Sequence, residues 1–76
     1  MKYAFVSGAM GGLAQIALRE LTAQDYTIFA GDVLIDRPYI HKNIHYLPLD
    51  LTKESSFDQT KEYISRHTST LDIVAN

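Results

Sequence analysis

The chain has 76 residues and a formal net charge of −2, with 46% apolar residues and no cysteine. This length accommodates one small domain, residues 1–76. The lack of cysteine excludes disulfides and thiolate metal sites and suits the reducing cytoplasm, where we expect the protein. No run of Lys or Arg is present and every apolar segment is short. We therefore expect no nucleic-acid partner, no membrane partner and no signal peptide.

The first third of the chain predicts a strand, a glycine loop and a helix. Residues 3–6 are apolar, as in a strand buried on both faces of a parallel sheet. Residues 8–12 form a glycine-rich loop. After the loop, apolar residues recur at helical spacing and predict the buried face of a helix. These residues are Leu13, Ile16, Ala17 and Leu21. The polar residues predicted for its outer face are Gln15, Arg19, Glu20 and Gln24.

Two further strands are predicted in the middle of the chain. Residues 26–30 are rich in β-branched and aromatic side chains, which favour a strand. Residues 33–43 should be irregular, and residues 44–49 predict a third strand. Because Pro48 lacks an N–H, this strand should lie at the edge of the sheet or end near that residue.

A second helix and a fourth strand complete the pattern. The helix should start at a Thr52 N-cap, or at a capping box of Ser56 and Gln59, and run to about residue 67. The residues predicted for its inner face are Phe57, Thr60 and Ile64. Residues 71–75 predict a fourth strand.

Strands that alternate with helices predict an α/β protein. We expect a partial Rossmann fold with four parallel strands in the order 3-2-1-4 and two crossover helices. The edge of strand four would be uncovered, and such an edge invites pairing with another chain. The pattern therefore predicts a fragment, a truncated product or a chain that completes itself as a homo-oligomer.

The glycine loop is a candidate phosphate site, because the backbone N–H groups at the start of a helix lack internal partners. Gly8 would make the turn, Gly12 would allow the phosphate to approach, and Ala14 would allow close helix packing. The spacing Gly-x-x-x-Gly-x-Ala is neither Gly-x-Gly-x-x-Gly nor a P-loop. Glycines in such a turn also occur for purely structural reasons.

Asp32 lies at the end of the second predicted strand, 24 residues after Gly8. In dinucleotide-binding folds an acidic residue about 20 residues past the glycines binds the adenosine ribose. Its carboxylate would accept both ribose hydroxyl protons and repel a 2′-phosphate. Asp32 therefore favours NAD over NADP, although an aspartate in a turn can also be merely solvated.

Four motifs together resemble the N-terminal half of the Rossmann domain in classical short-chain dehydrogenases/reductases. Residues 7–14 read Ser-Gly-Ala-Met-Gly-Gly-Leu-Ala, where the family has Thr-Gly-x-x-x-Gly-Ile-Gly. Asp32 matches the family's NAD-preferring aspartate. Asp50 and Leu51 match the pair that closes strand three, and residues 71–76 match the family's Leu-Asp-Val-Leu-Val-Asn. The resemblance covers the whole chain.

The resemblance implies a cofactor site for NAD. The residues expected to bind the phosphates are Gly8, Met10, Gly11, Gly12 and Leu13. Asp32 would bind the adenosine ribose, Asp50 and Leu51 would bind adenine, and Asn76 would lie near the nicotinamide-side ribose. The family transfers hydride between the cofactor and an alcohol or carbonyl substrate, and the cofactor carries that chemistry.

The family's catalytic Tyr-x-x-x-Lys pair has no match, because no tyrosine in the chain is followed four residues later by lysine. We therefore expect no catalytic residue and no turnover from this chain alone, and the substrate stays open. Sugar-nucleotide epimerases have a similar start, but Ala14 departs from their Gly-x-x-Gly-x-x-Gly loop. His41 and His45 lack partners for a metal site, so none is predicted.

Overall fold

The computed structural model describes residues 1–75, and within them it has one parallel sheet with two helices. The elements in chain order are β1 (Lys2–Ser7), α1 (Gly12–Ala23), β2 (Tyr26–Asp32), β3 (Ile44–Pro48), α2 (Glu54–Ser65) and β4 (Ile73–Ala75). The strand order is β3-β2-β1-β4, and every neighbouring pair is parallel. The predicted α/β class, strand order and two helices are confirmed.

The parallel register places alternate residues of each strand on opposite faces of the sheet. Ala4 pairs with Ile28 and Val6 with Ala30, and these four side chains belong to one buried aliphatic core with Leu18 of α1. Pro48 is the last residue of β3, which is an edge strand, as predicted from its missing N–H. The irregular conformation predicted for residues 33–43 is also confirmed.

The predicted buried face of α1 is wrong in part. Leu13 is 85% exposed and Ile16 is 63% exposed, whereas Leu18 and Thr22 are buried. The helix is apolar around most of its circumference, so its periodicity allows more than one buried face. The structure packs Ala14 and Leu21 against the sheet with Leu18. The prediction that Ala17 lies on the buried face is also wrong, because Ala17 is exposed. Leu21 packs inward as predicted.

The predicted start of α2 is also wrong. The helix begins at Glu54, and its N-cap is Lys53, whose side chain makes no capping hydrogen bond. The Thr52 hydroxyl donates instead to Asp50 Oδ1 at 2.6 Å, and Ser56 Oγ accepts the Asp50 N–H at 3.0 Å. Both hydroxyls therefore bind the loop before the helix rather than the free N–H groups of its first turn.

Aromatic side chains join α2 to the sheet. Phe29 of β2 is fully buried, and its ring lies 5.2 Å from His45 of β3 and 6.1 Å from Tyr63 of α2. His67 lies just beyond α2, 5.0 Å from the His45 ring and 4.8 Å from the Tyr63 ring, measured between centroids. We call Phe29, His45, Tyr63 and His67 the histidine cluster. Because these ring contacts lie near the C-terminal end of α2, Phe57 in its first turn, which is predicted to face inward, remains 44% exposed. Thr60 is buried as predicted.

The fourth strand is shorter than predicted, since β4 begins at Ile73. Leu71 and Asp72 precede it. The Asp72 N–H donates to the Tyr3 carbonyl at 2.8 Å, and the Asp72 carboxylate accepts the Tyr3 N–H at 2.9 Å. This reciprocal pair fixes the register at which β4 joins β1.

We predict that acidification weakens the fold through the histidine cluster. Burial, and next the charge of nearby His67, lower the pKa of His45 below its ordinary value of about 6.5. The unfolded chain therefore binds a proton on His45 before the folded chain does. This contribution to stability is complete above about pH 6.5 and is lost as the pH falls toward the folded pKa.

Urea unfolding between pH 7.5 and 5.5 measures this effect. His45→Phe should flatten the dependence of the unfolding free energy on pH, because phenylalanine does not titrate. Leu34→Phe, at an exposed position in the loop before β3 and outside the cluster, is the control and should retain the wild-type dependence. An unchanged slope in the His45 variant would contradict the prediction.

Candidate functional site

The glycine loop connects the carboxyl end of β1 to α1. Gly8 has a φ of 65°, a left-handed conformation that glycine adopts without strain. The Gly11 N–H then donates to the Gly8 carbonyl at 3.0 Å, which closes the turn. The helix starts at Gly12, one residue before the first residue predicted from its periodicity.

The start of α1 is open to a ligand. Within residues 1–75 no side chain caps this helix, and its first turn contains no acidic residue. Gly11, Gly12 and Leu13 are exposed. A Cβ added at Gly12 would meet no atom within 4 Å, so a group from outside the chain can approach the backbone there. The unpaired N–H groups and the positive end of the helix dipole suit an anion.

Asp32 is hydrogen-bonded to the glycine loop. Its Oδ2 accepts the Met10 N–H at 2.9 Å, and its Oδ1 accepts the Val33 N–H at 2.7 Å. The adjacent backbone also joins the loop to β2, since the Ala9 N–H donates to the Gly31 carbonyl at 3.0 Å. The structure therefore brings together the two motifs that the sequence placed about 20 residues apart.

Asp50 and Leu51 follow β3 at the same carboxyl edge of the sheet. The hydroxyl and the N–H of Thr52 both donate to Asp50 Oδ1, at 2.6 and 3.0 Å. These two hydrogen bonds, and then the charge of Lys53, hold the pKa of Asp50 below its ordinary value. Asp50 is therefore ionised at neutral pH, and Leu51 beside it is 59% exposed.

Of the remaining predicted site residues, Met10 is half-buried and its sulfur accepts the Asp36 N–H at 3.3 Å. Met10 thus contacts the loop between β2 and β3, which we call the β2–β3 loop, through its side chain. Asn76 lies outside the described residues.

Sequence reasoning missed Gln15 and the close packing at Gly31. Gln15 was assigned to the outer face of α1, yet it is half-buried and bonded to two loops. Its polar side chain suggests a solvent-exposed position, because the sequence does not show the hydrogen-bond partners that allow an amide to be buried. A Cβ at Gly31 would approach Leu49 Cδ2 to 2.9 Å, so this glycine allows Leu49 to pack over the end of β2.

Two further findings limit the kinds of site in residues 1–75. No three acidic or histidine side chains there are grouped so that they could bind a metal ion. No helix in the same residues has the length and apolar character needed to cross a bilayer.

Comparison of the chain with known protein families finds no family that matches, and comparison with curated proteins finds no relative.

We predict that Asp32→Asn loosens the glycine loop. An asparagine side chain has one acceptor oxygen, whereas Asp32 accepts from two backbone N–H groups on two oxygens. One donor must lose its partner, which should lower the free energy of unfolding by about 1–3 kcal/mol. Urea unfolding measures the loss. Asp36→Asn, a few residues further along the chain, is the control and should change stability by less than about 0.5 kcal/mol. Equal effects of the two substitutions would refute the prediction.

Proposed function

We propose that the chain is the NAD(H)-binding portion of an oxidoreductase of the short-chain dehydrogenase/reductase type. One observation carries the proposal: the Asp32 carboxylate is bonded to the glycine loop, beside an uncapped helix start. These groups lie at the carboxyl end of a parallel sheet in which β1 stands between β2 and β4. Ligands of open α/β sheets bind outside the carboxyl ends of the strands, where the strand order reverses.

The pyrophosphate would bind at the glycine loop. Gly8 sets the turn that the Gly11 N–H closes, and the exposed backbone N–H groups of Gly12 and Leu13 would donate to the phosphate oxygens. No acidic side chain in the first turn of α1 opposes the negative charge there. The backbone of Met10 is held by Asp32, so the loop is ordered before a ligand binds.

Asp32 would bind the adenosine ribose with the acceptor capacity that remains. Each of its oxygens accepts one backbone N–H, and a carboxylate oxygen has room for a second hydrogen bond. The two ribose hydroxyls would each donate to one oxygen. A 2′-phosphate would instead face a carboxylate, which favours NAD over NADP.

Adenine would lie against the exposed side chains that follow β2 and β3. Val33 is 67% exposed and Leu51 is 59% exposed, so both offer apolar surface to a ring. Both Thr52 hydrogen bonds end on Asp50 Oδ1. We assign Asp50 Oδ2 to the adenine amino group and the Leu51 N–H to a ring nitrogen.

The bound cofactor would supply hydride transfer, and this chain would supply binding and orientation. No residue of the chain is assigned to proton transfer, because no Tyr-x-x-x-Lys pair is present in its sequence. The substrate in the full oxidoreductase would be an alcohol or a carbonyl compound.

NMR titration with millimolar NAD tests the proposal. We expect the amide resonances of Gly11, Gly12 and Leu13 to shift, and NADP to cause smaller shifts at equal concentration. Gly12→Val should abolish the shifts, because its side chain would occupy the space that a phosphate needs. Ala23→Val, at the exposed end of the same helix, is the control and should respond like the wild type. If the loop amides do not respond to either nucleotide, the proposal fails.

The edge of the sheet supports a second candidate, a non-catalytic module that self-associates through β4. This strand has three residues and only β1 beside it in the described part of the chain, and Val74 is 66% exposed. An open groove of about 410 Å³ lies next to it, lined by apolar side chains that include Phe5, Phe57 and Ile64. Unpaired strand edges and exposed apolar surface both favour association with another copy.

Light scattering coupled to size-exclusion chromatography tests self-association. If β4 pairs with a second copy, the molar mass should rise from one chain toward two as the concentration increases. Val74→Lys should keep the protein monomeric, because a lysine on an edge strand opposes pairing. Lysine at Val33, which is equally exposed but lies in the β2–β3 loop, is the control and should leave the association intact. A single-chain mass at every concentration would exclude this candidate.

A further inference from the structure

Gln15 joins the glycine loop to the β2–β3 loop. Its Nε2 donates to the Ala9 carbonyl at 2.7 Å, and its Oε1 accepts the Tyr39 N–H at 2.8 Å. A carbonyl only accepts and an N–H only donates, so these two partners determine which way the side-chain amide faces. Both ends of the amide are therefore used, and they bind backbone atoms of two different loops.

The surroundings of Tyr39 strengthen this connection. The Tyr46 hydroxyl donates to the Tyr39 carbonyl at 2.6 Å, so both backbone groups of Tyr39 are bound by side chains. The Arg19 guanidinium lies 4.2 Å from the centre of the Tyr39 ring, which adds a cation–π contact from the same helix. Gln15 also lies 3.5 Å from the Tyr46 hydroxyl.

The β2–β3 loop is thus fixed to the glycine loop and α1 at successive points. Asp32 binds the Met10 N–H at its start, the Asp36 N–H reaches the Met10 sulfur, and Tyr39 binds Gln15. Gln15 also donates to the Ala9 carbonyl of the glycine loop. Removing its amide would break the link between the glycine loop and Tyr39, while the contacts of Asp32, Tyr46 and Arg19 stay in place.

We propose that Gln15 is a positioning residue of the nucleotide site, which holds the β2–β3 loop in the conformation that receives the adenosine end of the cofactor. This inference rests on the proposed function, because it assigns a purpose to the connection at that same site. A loop that is already ordered loses less conformational entropy when a ligand binds across it. Loss of the Gln15 amide should therefore weaken nucleotide binding without removing any group that touches the nucleotide.

Gln15→Met removes both hydrogen bonds and keeps the length and helix propensity of the side chain. Its Tyr39 amide should exchange with solvent about fivefold faster than in the wild type, as expected for one lost hydrogen bond. Its NAD affinity should fall by a similar factor of about five, whereas exchange at the buried Ala4 amide of β1 should not change. Gln59→Met, at an exposed position of α2, is the control and should change neither quantity.

Gln15→Glu separates positioning from simple packing through its pH profile. An ionised carboxylate still accepts the Tyr39 N–H but cannot donate to the Ala9 carbonyl, which faces it. Once protonated, the acid donates to that carbonyl and reproduces both hydrogen bonds. Tyr39 protection and NAD affinity, each relative to the wild type at the same pH, should therefore recover as the pH falls through the carboxyl pKa. A packing role would show no such recovery.

The outcomes distinguish this inference from the proposed function. Unchanged Tyr39 exchange in Gln15→Met overturns the connection itself. Faster exchange with unchanged NAD affinity overturns the positioning role, provided that the wild-type chain binds NAD. If the wild-type chain does not bind NAD, both the proposed function and the positioning role fail. Tyr39 exchange still reports whether Gln15 holds the loop.

Discussion

The tie between the glycine loop and the end of β2 determines the arrangement of the carboxyl edge of the sheet. Two hydrogen bonds form it: the Ala9 N–H to the Gly31 carbonyl, and the Met10 N–H to the Asp32 carboxylate. The two donors belong to consecutive residues, so the loop is held at two points and cannot rotate about either hydrogen bond alone. The start of α1 follows directly, so the direction of its free N–H groups depends on this tie. Asp32 also holds the segment that follows β3, since the Leu49 N–H donates to its carbonyl.

The two faces of the sheet are stabilised by different kinds of contact. On one face α1 packs against a closely fitted aliphatic core that includes Ala4, Leu18 and Ile28, all fully buried. On the other face α2 is joined through the rings of the histidine cluster, in which burial lowers the pKa of His45. Aliphatic burial does not depend on pH, whereas the histidine contacts do. Acid is therefore expected to weaken the packing of α2 on the sheet through His45.

The strands and their order could be predicted from the sequence, because each strand is a short apolar segment and parallel pairing follows from the helices between strands. The glycine loop and Asp32 were found for a similar reason, since the chemistry of a tight turn and of an anion site restricts residue types. The buried face of α1 could not be predicted: Leu13 and Ile16 have the same apolar character as Leu18 and lie on other sides of the helix.

The positions of polar residues are the hardest to predict from the sequence, because one polar side chain can form hydrogen bonds with several different partners. Thr52 is a good N-cap by type, but Asp50 lies within reach and its carboxylate is a stronger acceptor for the hydroxyl. Gln15 was placed on the solvent side by its polarity, yet an amide can satisfy one acceptor and one donor at once, as the Ala9 carbonyl and the Tyr39 N–H require. Only the folded backbone brings these partners together.

The binding role proposed for Asp32 need not compete with its structural role. Its two oxygens offer about four acceptor positions, and the backbone of Met10 and Val33 uses one on each oxygen. The remaining acceptor capacity is what the proposed function assigns to the ribose hydroxyl groups. A neutral amide at this position would have to give up a backbone donor before it could accept a ligand. A carboxylate therefore suits both the observed ordering of the loop and the proposed binding of a ribose.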